Sequence, residues 1–260
     1  MFRTLFIAAV LMEFGCVSMS WAQYVERQDK SGGCPYNFAS SNRDMFFSYC
    51  ITTDGNVANV VIREGSLPII SPPPDAAEGY GVCNQSPVAA YFDYGKWGLS
   101  GNWDSPTALS HSATSVTIAR TTTDGNWTLT QTFTLIPTTP SVKLVMALKN
   151  NTSAMRRAYL IRWVSFTQPY DAYFDGIGYT AFGWHSTFEQ SPGWGLQLRN
   201  VGPPWSYVNA FAQNVPTPPN PCNFEFNWNG LSRGGSLVLA YAGNIGAGKT
   251  KKATMIYRSM

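Results

Sequence analysis

Asp171 and Asp175, four residues apart in Tyr170-Asp-Ala-Tyr-Phe-Asp175-Gly, are the carboxylates with the most apolar surroundings. Glycoside chemistry needs two carboxyls across a sugar bond, one of them raised by apolar neighbours. His185, in Phe182-Gly-Trp-His185, and Glu189 complete this candidate catalytic set. Glu78, Asp93 and Asp104 stand beside a second aromatic, Gly-rich region and are further candidates. Asp171 and Asp175 equally suit calcium, which takes clustered oxygen ligands, or the capping of turns. No other cofactor is indicated.

Other motifs carry less. The two histidines, His111 and His185, lie in no Ser-His-Asp context, and Gly-x-Ser-x-Gly is absent. His111 reads as a surface residue at the edge of a strand meander. Gly243-Asn-Ile-Gly-Ala-Gly248-Lys249-Thr250 fits the phosphate-loop pattern, but that loop needs a helix after it. Residues 251–260 alternate like a strand instead, so Gly246-Ala-Gly248 reads as a hairpin turn and no nucleotide is expected.

Aromatic residues are the stronger signal. Trp97, Trp103, Trp184, Trp194 and Trp205 all sit in Gly- or Pro-rich stretches. A flat ring offers an apolar face to the C–H groups of a sugar, while nearby Asn, Asp and Gln bond its hydroxyls. Loop aromatics on a rigid scaffold are where ligand sites gather. Trp127 and Trp163 fall inside strand patterns and read as core.

The scaffold is all-β. From Ser115 to Asn150 the chain reads as three antiparallel strands. Val116 and Ile118, then Trp127, Leu129, Phe133 and Leu135, then Val142, Leu144, Met146 and Leu148 take every second position. Asp124-Gly125-Asn126 and Pro137–Pro140 are the bends. Ala158–Phe166 is apolar on both sides and belongs mid-sheet with both faces covered. It is expected beside the meander, at the sheet centre. Strands are also expected at 45–52, 57–63, 195–199, 236–241 and 250–258. Residues 23–45 read as a loop or cap, and 91–104 and 170–207 as long aromatic loops. Thr52-Thr-Asp-Gly-Asn56 recurs as Thr122-Thr-Asp-Gly-Asn126, and the unmatched flanks point to one turn chemistry used twice. No apolar helical period exceeds two turns. The expected fold is a single large antiparallel β-sandwich over residues 23–260.

The first 22 residues read as a secretory signal: Arg3, the apolar run Leu5–Leu11, and Ser20-Trp-Ala22 before cleavage. Past it remain Cys34, Cys50, Cys83 and Cys222, which in an oxidising compartment imply two disulfides. Three connectivities exist. The favoured one joins Cys34 to Cys50 locally and Cys83 to Cys222 across the domain. Two histidines and no C-x-x-C spacing argue against a metal centre. No later stretch is long and apolar enough to cross a bilayer. Charged residues make up 13% of the chain and aromatics 14%, with a net charge of +3. That charge is too small to predict nucleic acid or an anionic membrane as partner. Low charge with abundant Trp, Tyr and Thr suits a secreted or periplasmic protein that meets neutral ligands.

Thr121–Phe133, Val142–Asn151 and Ala158–Trp163, closed by Ala247–Tyr257, resemble the large supersandwich β-domains of carbohydrate-active proteins. These include galactose mutarotase-like domains and the N-terminal domains of some glycoside hydrolases. The chain is similar also to secreted bacterial β-sandwich proteins with no assigned activity. The mutarotases use a histidine and a glutamate for proton transfer. No stretch here matches those contexts, so no catalytic residue carries over. The resulting expectation is non-catalytic binding of a neutral carbohydrate or other surface ligand. The alternatives are a carbohydrate-active hydrolase, lyase or epimerase and a structural envelope protein.

Overall fold

The computed structural model describes residues 33–41, 46–62, 65–166, 170–174, 180–185, 195–203, 205–213, 218–223 and 236–259. The signal-like stretch 1–22, Asp175, Glu189 and Trp194 lie outside them. The strands are β1 (Tyr36–Ser41), β2 (Phe46–Ile51), β3 (Val57–Val61), β4 (Glu78–Gln85), β5 (Val88–Asp93), β6 (Thr107–His111), β7 (Ser115–Thr121) and β8 (Trp127–Ile136). They continue as β9 (Ser141–Asn150), β10 (Arg156–Ser165), β11 (Tyr170–Phe174), β12 (Thr180–His185), β13 (Gly195–Asn200), β14 (Tyr207–Gln213), β15 (Ser236–Ile245) and β16 (Thr250–Ser259).

They form three antiparallel sheets. The largest runs β11-β12-β13-β16-β9-β8-β7-β6, the second β14-β15-β10-β4-β5, and a small one β1-β2-β3. The meander is present as read, with β7, β8 and β9 adjacent and in continuous register. In β8 each odd position from Trp127 to Leu135 is buried and each even one half-exposed, because alternate side chains of a strand face opposite sides.

The two larger sheets face each other across one core. Trp127, Phe133, Leu144 and Met255 from one pack with Leu160, Val82, Leu237 and Tyr241 from the other. β10 is thus not in the meander's sheet, as the sequence reading had it. It is the middle strand of the opposing one, between β15 and β4. Its two-sided burial is as read: a second cluster with Phe92, Tyr94, Ile161, Trp163 and Val238 covers its outer face. Residues 36–41, read as loop, are β1, paired along their whole length with β2. The stretch 246–250 is a hairpin turn with Gly248 at φ 64, followed by strand and not helix, so the phosphate-loop geometry is absent.

The Thr122–Asn126 turn shows how the meander is pinned. Asp124 accepts hydrogen bonds from Thr122 Oγ1 (2.6 Å), Asn126 N (3.0 Å), Asn126 Nδ2 (2.7 Å) and the Tyr91 hydroxyl. Partial burial raises its carboxyl, but these donors outweigh it and hold the group below its ordinary value of 3.8. A depressed carboxylate adds stability that is present above its unfolded value and lost as pH falls through the folded one. Asp124→Asn is therefore expected to cost about 1 kcal/mol at neutral pH, discounted for its exposure. Urea melts at pH 7 and pH 3 check this: the gap between variant and parent should close at the lower pH.

Candidate functional site

The strongest concentration of chemistry among the described residues lies between the sheets. β4 presents Glu78 and Tyr80 inward, β10 presents Arg162, β8 Gln131, β7 Arg120 and β16 Tyr257. Glu78 and Arg162 are fully buried. Arg162 grips Glu78 with two nitrogens, Nε to Oε1 and Nη2 to Oε2 (2.6 Å). Its Nη1 donates to Gln131 Oε1 at 2.7 Å. The Tyr257 hydroxyl donates to Glu78 Oε1 at 2.6 Å.

A second pair stands next to it. Arg120 Nη1 donates to Asp93 Oδ2 at 2.7 Å and to the Tyr80 hydroxyl at 3.1 Å. Asp54 Oδ1 lies 3.7 Å from the same nitrogen. Arg120 also sits over the Trp103 ring, 5.7 Å from its centroid.

The Thr52–Asn56 turn between β2 and β3 enters this cluster and occupies its free valences. The Gly55 carbonyl accepts from both Arg162 Nη atoms at 3.3 Å. The Asp54 carbonyl accepts from Tyr80 OH at 2.9 Å. Val57 N donates to Glu78 Oε2 at 2.6 Å, and Asn56 Nδ2 to Asp93 Oδ1 at 2.9 Å. Gly55 has φ +87, and a Cβ there would lie 2.4 Å from Gln131 Nε2. Only glycine fits both the backbone and the space.

Burial pushes the Glu78 carboxyl up, opposed by the Arg162 charge and by the Tyr257, Val57 and Arg162 donors. Burial pulls Arg162 down, but Glu78 and Tyr257 more than offset it, so the guanidinium stays above its ordinary range. The Tyr80 and Tyr257 hydroxyls are both raised, chiefly by burial. They are neutral donors throughout the physiological range. With every carboxylate oxygen of Glu78 and Asp93 engaged and both residues sealed from solvent, this cluster joins the sheets. Glu78 and Asp93, candidates for sugar chemistry by sequence, are held in structural ion pairs. Asp104 is exposed, and its carbonyl accepts from Arg120 Nε at 3.1 Å.

The sequence-predicted site residues fall elsewhere. Trp103 and Trp205 were read as exposed loop aromatics, but both are buried. Trp103 packs edge-on against Tyr80 and Tyr91. Trp205 packs against Tyr241, and its Nε1 donates to the Lys252 carbonyl at 3.0 Å. Part of the 91–104 loop is strand, since β5 extends to Asp93, and an isolated bridge pairs Trp103 with Thr122. Trp97 ends a short 3-10 turn, Gly95–Trp97. It is half-buried against the outer cluster, with Lys96 Nζ 5.8 Å from its ring centroid. His111 is exposed at the end of β6, its ring 4.9 Å from that of Tyr36.

The 170–207 region, read as loop, contains β11 and β12. Their register pairs Tyr170 with His185 and Asp171 with Trp184. Asp171 and His185 thus occupy successive pairs of the ladder, and successive pairs belong to opposite faces of a sheet. Among the described residues no three His, Cys, Asp or Glu gather as metal ligands would. Nor is any helix among the described residues long and apolar enough to cross a membrane. Cys34 is joined to Cys50 and Cys83 to Cys222, the favoured connectivity.

Comparison with protein-family models and with curated sequences finds no match. Solved structures do match. A galactose mutarotase related enzyme from Lactobacillus acidophilus aligns with a TM-score of 0.50 at 7% identity, over 86% of this chain and 97% of that one. A galactose mutarotase-like protein from Lactobacillus casei ATCC 334 gives 0.50 at 10% identity, over 86% and 100%. A bacterial glucoamylase complexed with acarbose gives 0.55 at 9% identity, over 91% of this chain but 33% of that one. At such identities the likeness is one of architecture: this chain has the β-sandwich fold of galactose mutarotase-like proteins and of one part of a glucoamylase.

Proposed function

We propose that this is an exported protein that binds a neutral carbohydrate without transforming it. The observation that carries the reading is the β11–β12 register, which sets Asp171 and Trp184 in one cross-strand pair at the edge of the large sheet. Residues so paired have Cβ atoms about 5 Å apart. That spacing suits a ring platform beside a hydroxyl acceptor. Trp194, the residue before β13, is a further aromatic contact in this reading, whereas Trp97 packs on the outer side of the second sheet. The fold is one that carbohydrate-related proteins share, which supports it further. Binding is favoured over catalysis because Glu78 and Asp93 are committed to internal ion pairs, and because Asp171 and His185 stand in different pairs of their ladder. Two disulfides and the signal-like 1–22 support export.

A glycan array probed with the secreted chain tests the proposal, followed by analysis of each hit for shortened sugar. Binding to at least one neutral glycan, weakened roughly tenfold by Trp184→Ala, is expected. Binding to no neutral glycan sinks the reading, and a shortened product replaces it with an enzyme that uses Asp171, Asp175, Glu189 or His185.

A further inference from the structure

Over β9, β16 and β13 the outer face of the large sheet carries a one-signed array. Lys143 and Lys149 on β9, Lys252 and Arg258 on β16 and Arg199 on β13 are exposed and alternate with buried core residues. These three strands are adjacent. Within the strands of this sheet the one acid is Asp171, on the edge strand β11, three strands from β16; β6, β7, β8, β9, β12, β13 and β16 hold no Asp or Glu. No described carboxylate forms an ion pair with any of the five cations. Their cross-strand neighbours are all neutral. Lys149 lies opposite Thr128 and Thr250, Lys143 opposite Thr134 and Ile256, Lys252 opposite Ala147, Arg199 opposite Ile256, and Arg258 opposite Ser141 and Gln197. A sheet that needed these charges for its own pairing would set acids across from them. Clustered like charges instead cost the free protein self-repulsion.

The spacing is also informative. Lys143 and Lys149 are six residues apart on β9, and Arg258 and Lys252 six apart on β16, roughly 20 Å along extended strands. Between the charged ends the floor is half-buried Val145, Ala147, Thr254 and Ile256. Beside it the half-exposed threonines of β8 form an uncharged hydroxyl strip. Such a floor fits a chain of rings that shows C–H faces and hydroxyls, with anionic groups reaching the flanking cations. Nucleic acid is a poorer match, since single strands are held by stacking on aromatic rings and these floor positions carry none. A bilayer is a poorer match because the apolar floor residues Val145, Ala147 and Ile256 are half-buried and none is fully exposed.

We infer that this face binds an acidic polysaccharide, one bearing carboxylate or sulfate groups, across β9, β16 and β13. This site lies on β9, β16 and β13, beside the β11–β12 strands that carry the Asp171–Trp184 pair on the same face, and takes a different ligand. Titration calorimetry of the full exported chain with polygalacturonate at low salt tests it. The heat of binding should disappear at high salt, as an interaction between exposed charges is screened. Lys149→Gln/Lys252→Gln should weaken binding roughly tenfold. Arg156→Gln/Arg157→Gln, which removes equal charge from the opposing sheet, should change it less than twofold by the same argument. Circular dichroism melts show that each variant folds. No binding of polygalacturonate, or equal losses in the two variants, overturns the inference. Tighter binding of duplex or single-stranded DNA, or of phosphatidylglycerol vesicles, than of polygalacturonate overturns it as well. Trp184→Ala should leave polygalacturonate affinity intact, so this site and the neutral-sugar reading fail separately.

Discussion

Replacing Arg162 with methionine is expected to cost about 3–5 kcal/mol of unfolding free energy, a large share of the 5–15 kcal/mol typical of a folded domain. The magnitude follows from what the guanidinium leaves behind. Glu78 keeps Tyr257 and Val57 as donors but loses both hydrogen bonds to Arg162 and the one charge that faces it. Gln131 Oε1 and the Gly55 carbonyl lose a donor inside the core. A buried acceptor without a partner bears its full desolvation cost. The companion double variant, Arg162→Met with Glu78→Leu, separates the worth of the pair from the cost of breaking it. Buried ion pairs replaced together by apolar residues of similar volume are often neutral. The double variant should therefore recover at least half of the single variant's loss. Urea denaturation of the three proteins measures both. A loss below about 1 kcal/mol for Arg162→Met would show that water or a shifted Gln131 replaces the guanidinium, and the cluster would no longer be what ties the sheets together.

Strand parity reveals the apolar faces, and the polar residues on those faces carry a signal of their own. Arg120 follows Val116 and Ile118 at the same two-residue step, Gln131 stands between Leu129 and Phe133, and Arg162 lies inside the apolar run Ala158–Phe166. A charge or amide at an inward position needs a partner, so these three residues predicted their own network. The acids that answer them are remote in sequence: Asp93 lies in the sheet opposite Arg120, and Glu78 on the strand that pairs with Arg162's own. No local pattern joins them to Arg120 or Arg162, because the pairing of strands far apart in sequence, like contact across a sandwich, depends on topology. For the same reason β10 was assigned to the wrong sheet: a two-sided apolar strand shows that it is central, without showing to what. The meander was legible because its strands are consecutive and joined by short bends, so local order and spatial order coincide. β11 and β12 were missed because Tyr170–Phe174 and Thr180–His185 are short and carry no clean alternation. The Trp residues divide by what surrounds them. Trp103 has Gly101-Asn102 before it and still turns inward, because the core between Tyr80 and Tyr91 has room for a ring there.

The second large effect is expected at Cys83–Cys222. Replacing both cysteines with alanine should destabilise the protein by roughly 5 kcal/mol on the chain-entropy account, against roughly 3 kcal/mol for the Cys34–Cys50 pair. The closed segments differ accordingly, with sequence separations of 139 and 16. The difference between the two variants is firmer than either value, since errors in the entropy account are shared. Packing adds to it. Cys83 is fully buried near the middle of the second sheet, where β4 pairs with β10 and β5. Its disulfide holds the segment 218–223 against that sheet. There the Pro219 carbonyl accepts from Tyr94 OH at 2.9 Å, and Pro221 approaches Gly81 so closely that a Cβ would lie 3.1 Å from the proline Cβ. Tyr94 and the nearby Ile161 and Trp163 belong to the outer cluster. Freeing the segment should therefore raise hydrogen exchange in β4 and β10 before the meander is affected, with β8 and β9 protected until global unfolding. Equal melting temperatures for the two disulfide variants would remove the loop-length argument. Uniform exchange across β4, β10, β8 and β9 would show that the second sheet does not open on its own.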